Sequence, residues 1–267
     1  MYLALTSVKG APGVTTTAVG LALTGGERHH LVVEADITGS SSILAGYFKA
    51  QRRHDRGLLR LVRPNLENDL DNALPDNLIS ESPSFTVLPG IAEPRHAAQV
   101  AMLWDDLGRQ LGLYATEGAR VLVDCGQFGA EHGPLPLLSH ADVVGVVIGS
   151  TLPQIAAARV RIPMIRHHLS NIRSRARLGL IVVGDYPYTA AQIADQLKVP
   201  AIATIVNNPK HARVFSEGAV MPKWKQRSSP YLRSLRQTWN RLETFHASNN
   251  ADWLTNNIDL PEGATRG

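Results

Sequence analysis

The chain has 267 residues, 44% hydrophobic and 19% charged, which gives enough apolar material for a sizeable core and excludes general disorder. Its 27 lysines and arginines against 23 acids leave a formal charge of +4, which permits contact with nucleic acid or an anionic surface without demanding either. The lone Cys125 excludes an internal disulfide, no apolar run approaches the roughly 18 residues of a membrane span, and Met1-Tyr2-Leu3-Ala4-Leu5 lacks a secretory pattern, so a cytoplasmic protein is expected.

Tyr2–Val8 reads as a strand that stops at Lys9-Gly10-Ala11-Pro12-Gly13, and the small residues from Thr15 to Leu23 read as a helix. Valine- and isoleucine-rich runs follow at Leu31–Val33, Phe85–Leu88, Arg120–Val123, Val143–Ile148, Leu180–Val183 and Ala201–Val206. Most lack strict alternation, as parallel strands covered on both faces do. Helical spacing lies between many of them: Ile155, Ile162, Ile165 and Leu169 after Pro153, then Ala190, Ile193, Ala194 and Leu197. The alternation predicts an α/β fold, a doubly wound and mostly parallel sheet flanked by helices.

The stretch Gly46–Asn77, with Arg52, Arg53, Arg56, Arg60 and Arg63 followed by Asn and Asp residues, predicts surface helices and loops inserted after the second strand. Leu232, Leu235, Trp239, Leu242 and Phe245 recur at helical spacing, with Arg233, Arg236 and Arg241 on other faces. Such a helix can lie on a membrane; its narrow apolar stripe favours docking on the domain. Residues 1–246 are expected to form one domain and 247–267 a polar, loosely ordered tail.

The segment Lys9-Gly10-Ala11-Pro12-Gly13-Val14-Thr15-Thr16 sits between strand and helix. Glycines in such a loop let backbone N–H groups converge on phosphates at the helix N-terminus, a lysine reaches the β/γ-phosphates, and a Ser/Thr hydroxyl serves magnesium. Taken alone, the segment fits a ligand-free strand-to-helix turn equally well. It resembles the deviant Walker A loop of the ParA/MinD family, Lys-Gly-Gly-x-Gly-Lys-Thr-Thr, with Lys9 as the opening lysine, Ala11 as a mild departure, and Val14 in the place of the phosphate lysine.

Other positions resemble the same family in order and spacing. Glu34-Ala35-Asp36 ends the second strand where the family has Asp-x-Asp, and Val121-Leu122-Val123-Asp124 resembles its Walker B strand. Leu180–Asp185 stands where the family has Val-x-Asn-Arg, with Gly184 replacing the base-reading asparagine, and Leu197–Ile205 resembles its Leu-Gly-x-Pro segment. The resemblance implies Gly10, Ala11, Pro12, Gly13, Val14, Thr15 and Thr16 as the phosphate segment, with Asn207 and Pro209 as further nucleotide contacts. It implies Asp36 and Lys9 as the catalytic pair, Thr15, Asp36 and Asp124 at the magnesium, and ATP or ADP with Mg as the cofactor. Cys125 reads as a small buried residue, since no histidine neighbours it in sequence.

The family dimerises and positions cellular assemblies, so a homodimer with a protein partner in a larger assembly is the implied role. Valine at position 14 predicts weak or absent hydrolysis, with nucleotide held by backbone amides, Thr15 and magnesium, and with Lys9 compensating in part from the partner subunit. Leu88-Pro89-Gly90 followed by Pro94-Arg95 resembles the CpaE/TadZ branch that localises Tad/Flp pilus machinery. Two other readings stand beside this one. A ParA-type partition ATPase would bind DNA through Arg159, Arg161, Arg166, Arg173, Arg175 and Arg177, near His167 and His168, or through Lys210, Arg213, Lys223, Lys225 and Arg227; a solvated face accounts for the same charges. A nucleotide-free dimeric scaffold is the other. A membrane surface is the less favoured partner, and no additional catalytic constellation suggests a metabolic enzyme.

Overall fold

The computed structural model describes residues 1–10, 13–172 and 174–256, the segment 249–256 by its backbone alone. Ala11, Pro12, Arg173 and residues 257–267 therefore lie outside the described residues, together with the expectations that fall on them.

The chain runs through β1 (Tyr2–Ser7), α1 (Val14–Thr24), β2 (His30–Glu34), a π-helical turn at Ile43–Tyr47, α2 (Leu58–Leu66), α3 (Leu70–Asp76), β3 (Ile79–Ser82) and β4 (Phe85–Leu88). It continues with α4 (Ala97–Val100), α5 (Trp104–Thr116), β5 (Arg120–Gln127), α6 (Leu135–Ser139), β6 (Val143–Gly149), α7 (Leu152–Asn171), β7 (Arg177–Val183) and α8 (Ala190–Leu197). β8 (Ala201–Ile205), α9 (Pro209–Ser216), α10 (Lys223–Ser228) and α11 (Pro230–Asn256) complete it. Among the described residues the strands form one eight-stranded sheet in the order β3-β4-β2-β5-β1-β6-β7-β8. Every pairing is parallel except β3 with β4.

Alternate residues of β1 feed the two faces. Tyr2 and Ala4 join a buried cluster with Val33, Leu107, Leu111 and Val121, while Leu3 and Leu5 join another with Val19, Leu21, Val32 and Leu122. A strand sealed on both sides can be apolar at every position, which is why the runs read as they do. On the second face α1 is pressed between sheet and α11. A Cβ on Gly20 would come within 3.0 Å of Leu235 and 3.2 Å of Phe215, so the small residues of α1 set how closely α11 approaches. Leu232, Leu235, Trp239 and Leu242 are buried there, and Trp239 Nε1 donates to the Leu21 carbonyl at 2.6 Å. The stripe docks on the domain, as expected.

The segment 46–77 does hold helices, but α2 and α3 send Leu58, Leu61, Leu70 and Leu74 into the core and only their outer faces are surface. The edge strand β3 was not expected: Ile-Ser-Glu-Ser offers one apolar residue, and only its pairing with β4 makes it a strand. α11 runs to Asn256, so helix continues past residue 246, where the polar tail was expected to begin.

Candidate functional site

β1 lies between β5 and β6, and its carboxyl end opens the crevice in which sheets of this kind bind ligands. The chain leaves β1 through Gly10 at φ 57° and enters α1 through Gly13 at φ 87°, left-handed conformations that glycine adopts without cost. The Thr17 amide reaches back to the Gly13 carbonyl at 2.8 Å, which leaves the amides of the first turn directed out of the helix end. Above them is a cleft of about 790 Å³. Gly10, Gly13, Val14, Thr15 and Thr16 line it beside Asp36 and Asp124, so the structure brings most of the phosphate segment and both proposed metal carboxylates to one place.

The carboxylates are held by different means. Asp124 is 0% exposed in the carboxyl half of β5, accepting from Thr15 Oγ1 at 2.5 Å and from the Gly126 amide at 3.0 Å. Burial pushes its carboxyl up to about 7; those two hydrogen bonds oppose the rise, and the charges of Asp36 and Glu34 add to it. Asp36 follows β2, and its Oδ1 accepts from the Thr38 amide at 2.9 Å. Gly126 sits at φ 58°, and a Cβ there would lie 2.6 Å from Asp36 Cγ, so only glycine at that position leaves room for the second carboxylate.

Glu34 does not share the cleft. It is buried, accepts from Ser41 Oγ and from the amides of Ile43 and Gly90, both at 3.1 Å, and ties the loops after β2 and β4 together. Its longer side chain thus works as an internal clamp, with its carboxyl pushed up by burial. Cys125 is buried, and burial drives its thiol well above the ordinary range, away from the nucleophilic thiolate.

Val14 is 5% exposed and belongs to the buried cluster of Leu3, Leu5 and Val147, while its edge faces the cleft. No lysine or arginine is among the described residues lining the cleft. Lys9 is exposed beside the loop and is not one of them; Asn207 and Pro209, exposed after β8, are not either. The strand order explains the second case, since β7 and β6 separate β8 from β1. The far wall of the cleft is formed by Ser42, by Ala45 and Gly46 of the π-helical turn that follows it, and by Ser216 at the end of α9. A Cβ on Gly46 would overlap the Ser216 carbonyl, so these two segments meet closely. No local signal marked this wall, because it is assembled from segments far apart in sequence.

Amide donors, hydroxyls and two carboxylates suit a phosphorylated ligand only with a cation between the carboxylates and the phosphates. The residues present therefore fit a phosphate group with a cation beside it better than a free polyphosphate, and Thr15, Asp36 and Asp124 are the groups that would hold that cation.

No family model and no curated protein matches the chain. Solved structures do. A ParA family ATPase from Chlorobium tepidum TLS superposes with a TM-score of 0.70 at 15% identity, over 90% of this chain and 98% of that one. MinD in the MinC:MinD cell division complex of Aquifex aeolicus gives 0.68 at 19% identity, over 91% and 95%. The septum site-determining protein MinD of Pyrococcus horikoshii OT3, complexed with Mg-ADP, gives 0.64 at 18%, over 93% and 98%. The chain has the ParA/MinD fold, and no helix of its described residues is long and apolar enough to cross a membrane.

Proposed function

We propose that this protein binds ATP or ADP with magnesium at the α1 cleft, dimerises, and positions a cellular assembly through a protein partner, with hydrolysis weak or absent. The observation that carries the reading is the cleft itself: two left-handed glycines, Thr15, Asp36 and Asp124 converge there, and no cationic side chain of the described residues does. Positioning and charge neutralisation supply nearly all of phosphoryl-transfer catalysis. Val14 removes the neutralising group from the loop, while the parts that hold metal remain. The Mg-ADP in the Pyrococcus horikoshii MinD structure supports the ligand class. A pilus or secretion assembly is the proposed target on the Leu88–Arg95 resemblance alone.

The absence of a cation among the described lining residues also favours a second reading, a scaffold whose pocket takes no nucleotide. Calorimetry separates the two. Wild type should bind ATP and ADP with magnesium and lose binding in EDTA, and Val14→Lys should bind about tenfold tighter or better, as a restored hydrogen bond to a charged group would give. The lysine stem can keep the apolar contacts of Val14 while its ammonium reaches the cleft. Binding only by Val14→Lys would establish the scaffold reading. Rapid turnover by wild type, abolished in Asp36→Ala, would overturn the proposed loss of hydrolysis.

A further inference from the structure

Between α9 and α11 the chain makes a tip at residues 218–228 whose side chains do not behave as a solvated loop. Val220 is 90% exposed and Trp224 68%, whereas Trp104 and Trp239 are buried. The tip is nonetheless held in shape: Met221 between them is buried, and Gln226 Nε2 donates to the Met221 carbonyl at 2.7 Å. Two large apolar groups are thus presented outward on an anchored segment.

Their surroundings are cationic. From Gly218 to Leu235 there is no acidic residue, while Lys223, Lys225 and Arg227 fall in the tip and Arg233 at the start of α11. None of the four forms an ion pair among the described residues, and the acid just before the tip, Glu217, is already paired with Arg213 at 2.7 Å. Lys225 Nζ lies 5.1 Å from the centre of the Trp224 ring. A Cβ on Gly218 would sit 2.9 Å from Lys49 Cε, which places one more cation at the base of the tip.

We propose that this tip docks the protein on an anionic lipid bilayer, with Val220 and Trp224 entering the headgroup boundary and the surrounding lysines and arginines meeting lipid phosphates. An indole with one apolar and one hydrogen-bonding edge suits that boundary, and each cation near an anionic leaflet strengthens attachment. A nucleic acid would use the cations and could stack on Trp224, but a solvent-directed valine gains nothing from bases or phosphates. The surface is distinct from the apolar stripe of α11, which the fold buries, and does not depend on what the cleft binds.

Flotation of the full chain tests the proposal, using vesicles of pure phosphatidylcholine and vesicles with about one third phosphatidylglycerol. Wild type should float with the anionic vesicles alone. Val220→Ser combined with Trp224→Ser should weaken that binding about tenfold or more, as should Lys223→Glu with Arg227→Glu, while the thermal midpoint stays put because these groups are exposed. Quenching by a lipid-borne quencher should be present in wild type and reduced in Trp224→Phe. Three results would overturn the proposal: no flotation of wild type, flotation that survives the Val220/Trp224 pair, or binding to random duplex DNA in place of vesicles.

Discussion

Val14 and His30 show how single side chains set what this molecule can do. At Val14 an uncharged side chain joins the buried cluster beneath the first turn of α1 while its edge faces the cleft. His30 is buried in β2 with Nδ1 unpartnered, Nε2 3.3 Å from an Arg120 nitrogen, and its ring 5.4 Å from that of Trp239. Burial, then the Arg120 charge, holds it down to about 4 from an ordinary 6.5. Between those values the unfolded chain takes up a proton that the folded one refuses, so this group's contribution to stability falls as pH drops through that window. Burial of Glu34 and Asp124 acts with the opposite sign. The difference between wild type and His30→Gln isolates the histidine: urea midpoints measured between about pH 7 and 4.5 should fall less steeply for the variant. Parallel curves would mean that His30 does not titrate as its burial requires.

Among the elements, α11 decides whether the second face of the sheet is sealed. Trp239 is its anchor, lying under the Arg120 guanidinium at 4.4 Å and donating to the backbone of α1, while Arg120 also pairs with Glu243 of the same helix. Trp239→Ala should cost about 3–5 kcal/mol in urea unfolding, the usual consequence of emptying an aromatic site in a packed core. A cost under about 1 kcal/mol would show α11 to be loosely held. The same helix was legible in the sequence because its apolar residues repeat at helical spacing, and the central strands were legible because burial on both faces makes them continuous apolar runs. The strand-to-helix turn was legible because Gly10 and Gly13, both at positive φ, record a backbone requirement directly. β3 was not, since its strand character comes from pairing with β4. Nor was the cleft wall of Ser42, Ala45, Gly46 and Ser216, which only tertiary packing assembles. Glu34 resembled a site acid in sequence, and only the loops folded around it reveal a clamp.

Over the whole molecule, charge is distributed in a way that bears on assembly. The chain carries +4 overall, yet its cleft presents two carboxylates and, among the described lining residues, no cation. Lys9 stands exposed one residue before Gly10, which lines the cleft, and outside the cleft of its own subunit. If two copies face each other across bound nucleotide, each Lys9 can reach the phosphates held by the other, and positive charge missing from one chain comes from its partner. Nucleotide binding and dimerisation are then linked, each strengthening the other by the same factor. Analytical ultracentrifugation of the full chain should show a dimer that grows with ATP and magnesium and disperses in EDTA. Lys9→Ala should remove the nucleotide-dependent part of that dimer, while leaving nucleotide affinity at low protein concentration, where monomers dominate, nearly unchanged. Lys9→Arg should restore much of it, because what is required is a long cation and not a particular amine. A dimer equally strong in Lys9→Ala would show that the copies associate through another surface, and that the cleft relies on magnesium alone to neutralise its ligand.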